Sequence, residues 1–308
     1  MRGFRFAVRL NHQPSVQEWR VEVREAEALG YDAISVCDHL DAQWGPMVAL
    51  ATAAECTTTL RLSTGVLNND LRHPVVLAKE AATLDLISAG RVELGLGAGW
   101  KQSDYDQLGW TMDPPSLRIA RLEEAAEVVR RCWTEDSVTF DGEHYRLVDA
   151  AALPKPYRQP GPAICIGGGG KRVLAAAARR ADIVGFNRSF PAGRADRDSL
   201  MSGMAASFDE RVGWVREAAG TRWGDLELQC DTNYVAIGRR QDGLARLSTR
   251  LGIDMDLADG LVTALIGDVD EVCEELEARR ERWGFSYWII DHDAMRDFAP
   301  VVAMLAGR

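Results

Sequence analysis

The chain has 308 residues, of which 46% are apolar and 27% charged, a profile that suits a globular fold with a sizeable core. A formal charge of −10 without any dense run of Lys and Arg excludes a nucleic-acid or anionic-membrane surface, since phosphate backbones need clustered cations. Six cysteines stand singly with no CxxC pair, which excludes a disulfide frame or thiolate zinc site and suits a reducing, cytoplasmic setting.

The first apolar run, "FRFAVRL", reads as a strand and is too short for a signal peptide; no run of about 18 apolar residues suggests a membrane span. In "SVQEWRVEVREAEALG", Ser15 and Glu18 form a capping box, while Trp19, Val23 and Ala26 recur at helical spacing until Gly30. "YDAISVCDHL" is the second strand and "MVALATAAECTTT" the second helix. "LRLSTGVL" follows, then a helix opened by Pro74, then "RVELGLGAG" and the helix "SLRIARLEEAAEVVRRCW". "VTFDGEHYRL" predicts a hairpin turning at Asp141-Gly142. Beyond a proline-rich link come "AICIG", a run of glycines, an alanine-rich helix and "DIVGFN". Residues 188–206 lack a period and predict a long loop or lid. A helix "FDERVGWVREAAG", a strand near "LELQCDTNYVAIG", the strand "SYWIID" and a last helix complete the chain.

Alternating strand and helix units without a compositional break predict one domain over 1–308, an α/β fold with a parallel sheet closed as a (β/α)₈ TIM barrel with loop insertions. Chemistry in such a barrel lies at the C-terminal ends of the strands. Those ends are Cys37-Asp38-His39, Gly65 to Asn68, Gly97 to Trp100, Gly167 to Gly170 and Asn187.

Gly167 to Gly170 fit neither a Walker A loop nor GxGxxG, because Arg172 and Val173 occupy required positions. Glycines between a strand and a helix still let the backbone approach a phosphate, with Lys171 and Arg172 adding charge. "GLGAGW" leaves room for a flat ring or ligand chain against the backbone. His39 can move a proton near neutral pH, with Asp38 as a candidate orienting group. His73 precedes Pro74 and reads as a loop-shaping residue. His12, His144 and His292 have no partners at ligand spacing, so no metal is expected. Glu93 falls mid-strand with no evident facing carboxylate, which argues against glycosidase chemistry.

"GYDAISVCDHL", "LSTGVLNNDLRHPVVLAKEAATLDLISAGRVELGLGAGW", "RLEEAAEVVRRCW" and "ICIGGGGKRVLAAAARRADIVG" together resemble the bacterial luciferase-like monooxygenase superfamily. Within it, the sequence is most similar to the branch of oxidoreductases that depend on the deazaflavin coenzyme F420. The resemblance implies a luciferase-like barrel with the cofactor at its C-terminal mouth and a non-proline cis peptide at Gly65-Val66 against the ring. It implies that Gly97 and Ala98 flank the ring or its side chain, that Gly168, Gly169 and Gly170 offer N–H groups to the cofactor phosphate near Lys171, and that His39 is catalytic. A tryptophan of similar dehydrogenases has an approximate match in Trp44.

The expected activity is hydride exchange between F420 and a small organic substrate by a cytoplasmic enzyme, a homodimer by resemblance. The alternatives are an FMN-dependent monooxygenase supplied with reduced flavin by a separate reductase, and a flavin-binding protein without catalysis.

Overall fold

The apolar runs become parallel strands whose alternate residues face a common interior. In the computed structural model, which describes residues 2–10, 12, 14–41, 43–189 and 197–308, these are β1 (Arg5–Leu10), β2 (Ala33–Val36), β3 (Arg61–Thr64), β4 (Val92–Gly97), β5 (Ala163–Gly168), β6 (Ile183–Phe186), β7 (Glu227–Asp231) and β8 (Phe285–Asp291). They neighbour one another in the order β3-β2-β1-β8-β7-β6-β5-β4, and β3 pairs with β4 to close a (β/α)₈ barrel. The short strand Leu67–Asn68 also pairs with β4.

Helices cover the outside because their apolar stripes match the strands' outer faces. The capping box of Ser15 and Glu18 starts the helix Val16–Ala28, which buries Trp19, Val23 and Ala26. Pro74 opens the helix Pro74–Ile87, and His73 caps it by accepting from the Val75 N–H at 3.3 Å. The hairpin joins Ser137–Asp141 to Arg146–Ala151 in antiparallel register. Among the described residues, no helix is long and apolar enough to cross a membrane.

The barrel interior is layered. Towards the N-terminal ends, Arg5 donates to Glu227 Oε2 at 2.8 Å and to Glu93, and the Tyr287 hydroxyl donates to Glu93 at 3.0 Å. Glu93 therefore does have a second carboxylate near it, contrary to the sequence reading, but one guanidinium lies between the two. A layer of small and branched residues follows, with Ala7, Ala33, Cys165, Ile183 and Ile289. Above it the interior becomes polar around Arg9.

Two parts of the chain depart from expectation. "LELQCDTNYVAIG" is two strands, because the Thr232 N–H and hydroxyl both donate to the Ile289 carbonyl, at 3.1 and 2.6 Å, and end β7. The second, Tyr234–Ile237, pairs with Ala264–Gly267 in a separate two-stranded parallel sheet. Leu244, Leu247, Ala258, Leu261 and Ile266 give that insertion its own apolar cluster. Within the expected lid at 188–206, residues 190–196 lie outside the described residues, whereas Arg197–Met201 is a helix and the helix Ala205–Ala219 begins inside the stretch.

Candidate active site

The C-terminal ends of the strands open into one cleft of about 980 Å³. Its walls include His39, Gly65, Val66, Gly97, Ala98 and Gly167 to Gly170, so nearly all residues singled out from the sequence meet there. Lys171 does not line it. Its ammonium stands 5.8 Å from the centroid of the Trp214 ring on the neighbouring helix, and Lys171 is the first residue of its own helix.

The Gly65-Val66 peptide is cis, as the resemblance implies. It is tied to β2: the Gly65 N–H donates to the Val36 carbonyl at 2.8 Å, and the Cys37 thiol donates to the Gly65 carbonyl at 3.3 Å. Burial pushes the Cys37 thiol up to about 11, so it is a neutral donor and not a thiolate nucleophile. Val66 projects inward between strands; a Cβ on Gly97 would stand 2.6 Å from Val66 Cγ2, and one on Gly167 would touch Cγ1 at 3.4 Å. These glycines thus make room for a valine that forms part of the cleft floor.

The four glycines have negative or extended φ, so none is needed for a left-handed turn. At Gly169 the requirement is space, since a Cβ would meet the Arg188 and Ser189 backbone at 2.6 to 2.7 Å. Gly168 faces Val173, while a Cβ on Gly170 would meet nothing within 4 Å. Gly170 is also the N-cap of the helix Lys171–Arg180 and offers it no side-chain cap. The first N–H groups of that helix are therefore free of an internal acceptor and carry the positive end of its dipole. Such a start at a cleft wall fits the phosphate of a bound cofactor.

Across the cleft, His39 Nδ1 lies 2.8 Å from Asp104 Oδ2. Asp104 is buried, and its other oxygen accepts from the Leu40 N–H at 3.3 Å. The orienting group is thus Asp104 and not Asp38. Asp38 instead receives both Nη atoms of Arg72, at 2.5 and 3.0 Å, and the Asn68 N–H at 3.0 Å. Asp104 sits on the helix Gln102–Leu108, which its neighbour Tyr105 anchors by donating to Asp70 Oδ2 at 2.8 Å. Burial raises that phenol to about 12, so it stays a donor. With Nδ1 held by the carboxylate, Nε2 is the ring atom left for chemistry. Trp100, and not Trp44, is the tryptophan beside the imidazole, its ring edge-on at 5.6 Å; Trp44 packs against Trp19.

Four further residues at the cleft, Arg118, Arg9, Asp231 and Asp291, were not singled out from the sequence. Arg118, nearly fully buried, donates to the Ala98 carbonyl at 2.7 Å and to the Gly99 carbonyl, fixing the loop after β4. Arg9 donates to Asp291 at 2.8 Å and Asp231 at 2.9 Å, and Asn187 donates to Asp231 at 2.6 Å. Burial opposes the charge of Arg9, yet the two carboxylates outweigh it and raise its pKa; for Asp231 burial prevails and its pKa is raised despite Arg9. The rule that strand ends carry function would have pointed to Asp231 had the end of β7 been placed correctly.

The sequence profile described as luciferase-like monooxygenase matches residues 3–218. The chain belongs to that family. Relatives of this luciferase-like chain include an F420-dependent glucose-6-phosphate dehydrogenase of Amycolatopsis mediterranei, 36% identical over 166 residues, which are 51% of this chain and 49% of that protein. A 4-hydroxyprotoasukamycin monooxygenase of Streptomyces nodosus subsp. asukaensis is 37% identical over 159 residues, 49% of this chain and 42% of that protein. The matches thus span about half the length of these curated relatives. The coenzyme F420-dependent tetrahydromethanopterin reductase of Methanopyrus kandleri superposes with a TM-score of 0.79 at 18% identity, covering 98% of this chain and 99% of that one, a likeness of fold.

Proposed function

We propose that this luciferase-like protein is an oxidoreductase that binds coenzyme F420 and transfers a hydride between it and a small organic substrate. The observation that carries the reading is the cleft itself, where the His39–Asp104 pair stands across from an uncapped helix start. The relatives that act with F420 support the choice of cofactor. When bound, the deazaflavin supplies a ring carbon that gives or takes hydride.

The chain's own residues have distinct tasks in this reading. The N–H groups of Gly168, Gly169, Gly170 and Lys171 hold the phosphate, and Gly65, Val66, Gly97 and Ala98 support the ring. Val66 fills the floor beneath it and excludes water there. Asp104 fixes the imidazole so that His39 Nε2 gives or takes the proton paired with the hydride. The identity of the substrate rests with the loops around this mouth.

A second reading is favoured by the monooxygenase relative: reduced FMN from a separate reductase occupies the same cleft, and oxygen is the co-substrate. Titration of the purified protein with F420 and with FMN, followed by ring absorbance, separates the two. Saturable binding of F420 with weaker or no binding of FMN is expected; binding of FMN alone would overturn the first reading. A His39→Ala variant should lose about 10²–10⁴-fold in turnover while still binding F420. Full turnover would remove His39 from catalysis.

The same proposal takes residues 1–308 as one catalytic domain acting in the cytoplasm as a homodimer. Val48, Val76 and Ile87, exposed on the neighbouring helices Pro46–Cys56 and Pro74–Ile87, support a face covered by a second copy.

A further inference from the structure

His12 follows β1, His292 follows β8, and Glu22 stands on the helix Val16–Ala28 between them. The three are far apart in sequence, and spacing gave them no shared role. The fold brings Glu22 Oε1 to 3.1 Å from His12 Nε2 and 3.4 Å from His292 Nε2. The two imidazoles stack at a centroid distance of 4.4 Å with their planes 28° apart. One donor atom from each residue lies within 4.8 Å of the other two. None of the three lines the cleft.

Two features distinguish this trio from an ordinary hydrogen-bonded carboxylate. Glu22 Oε2 and His12 Nδ1 are buried with no hydrogen-bond partner among the described residues. Unmatched buried acceptors of this kind are uncommon and cost free energy. The spacing is also informative. Zinc with bonds of about 2.0–2.2 Å to nitrogen and oxygen separates tetrahedral donors by roughly 3.3 Å. Both separations about Glu22 Oε1 are close to that edge, and the second oxygen is free to complete a bidentate contact.

The donor set decides the class of ion. Two imidazoles and one carboxylate suit zinc, cobalt or nickel, whereas magnesium and calcium prefer oxygen alone. We propose that His12, Glu22 and His292 bind one divalent transition cation of the zinc type, with water completing its coordination.

Position gives the site its role. β1 and β8 are the first and last strands of the barrel, paired with Arg9 opposite Asp291. His292 directly follows Asp291, which accepts from Arg9 inside the cleft. A cation on the trio ties both strand ends to the first helix and backs that cleft wall from outside. The role is structural and independent of which cofactor the cleft holds.

The test uses the full chain, stripped with a chelator and dialysed, then titrated with cobalt(II) alone. Uptake of one equivalent is expected, with the visible bands of a low-coordinate cobalt site and displacement by zinc. Zinc should raise the thermal midpoint by about 5 °C. His12→Ala and His292→Ala should each weaken uptake roughly 100-fold or more and abolish the thermal shift. His12→Gln and His292→Gln, which keep bulk and polarity, serve if either alanine variant fails to fold. No stoichiometric cobalt uptake by the wild-type chain would overturn the proposal. So would undiminished uptake by a folded double variant lacking both imidazoles.

Discussion

Arg5 and Arg9 lie on the same inward face of β1, and each bridges two carboxylates of other strands; Arg5 also reaches Asp32 at 3.4 Å. Arg5 is shared by Glu93 and Glu227 at the N-terminal end of the barrel, where the Tyr287 ring also packs under the guanidinium at 4.2 Å. Arg9 is shared by Asp231 and Asp291 at the C-terminal end, where the cleft begins. The side chains of Glu93 and Glu227 are 2% and 8% exposed, against 17% and 37% for Asp231 and Asp291. The carboxylates are thus sealed at one end and reachable at the other, while the arginines themselves are 19% exposed at Arg5 and 11% at Arg9. What separates a structural cluster from a site is access to the carboxylates and the groups around them, since both clusters join an arginine to carboxylates.

The sealed cluster gives the largest expected effect. Arg5→Met removes the cation that bridges two buried carboxylates, leaving Glu93 with Arg61 at 3.8 Å, and should cost about 3–5 kcal/mol of stability, read by denaturant unfolding. Replacing Arg5, Glu93 and Glu227 together with apolar residues of similar volume should recover most of that loss. A single variant as stable as wild type would show that solvent reaches Glu93.

Arg9→Met tests the open end and should cost about 2 kcal/mol, the scale of a hydrogen bond to a charged group. Water in the cleft can rehydrate Asp291, so the loss is smaller than at Arg5. Equal losses at the two arginines would erase the distinction drawn from exposure.

Asp104→Asn moves the comparison to the carboxylate that holds His39. It preserves the shape of the His39 partner but removes its charge, and turnover should fall about 10-fold with KM little changed. An unchanged kcat would mean that the imidazole is positioned by Trp100 and the loop alone.

The contrast between these clusters also marks what the sequence reveals and what it hides. The barrel is legible because its signals are local: alternating apolar runs, the Ser15 capping box and Pro74 at a helix start all act within a few residues. Gly65, Gly97 and Gly169 are legible as strand ends, though the reason for Gly97 is the distant Val66 side chain. Pairings are not legible. His39 meets Asp104 and Arg5 meets Glu227 only because the barrel closes, and Asp38, adjacent to His39, is taken by Arg72. The extra sheet after β7 escaped notice for a related reason. Tyr234–Ile237 has the pattern of a strand, but Thr232 breaks its ladder through a bond to β8.

Glu27 offers the smallest test and isolates the effect of neutral donors. Among the described residues no cation bonds to its carboxylate; Oε1 accepts from the N–H groups of Thr58, Thr59 and Leu60 at 2.8, 2.6 and 3.0 Å and from the Thr59 hydroxyl at 2.9 Å. Burial alone would raise its pKa, but these donors outweigh it and hold it at about 2, below the ordinary 4.5. A depressed carboxylate pKa contributes stability fully present above the unfolded value. That contribution is lost as pH falls from about 4.5 through about 2. Partial exposure screens the effect, so Glu27→Gln should cost about 1 kcal/mol at pH 7. The gap between variant and wild type in urea midpoints should narrow on acidification across that window. A gap constant with pH would mean that the amide oxygen serves the three N–H groups as well as the carboxylate does. Charge at Glu27 would then be incidental, unlike the charges that hold Arg5 and Arg9.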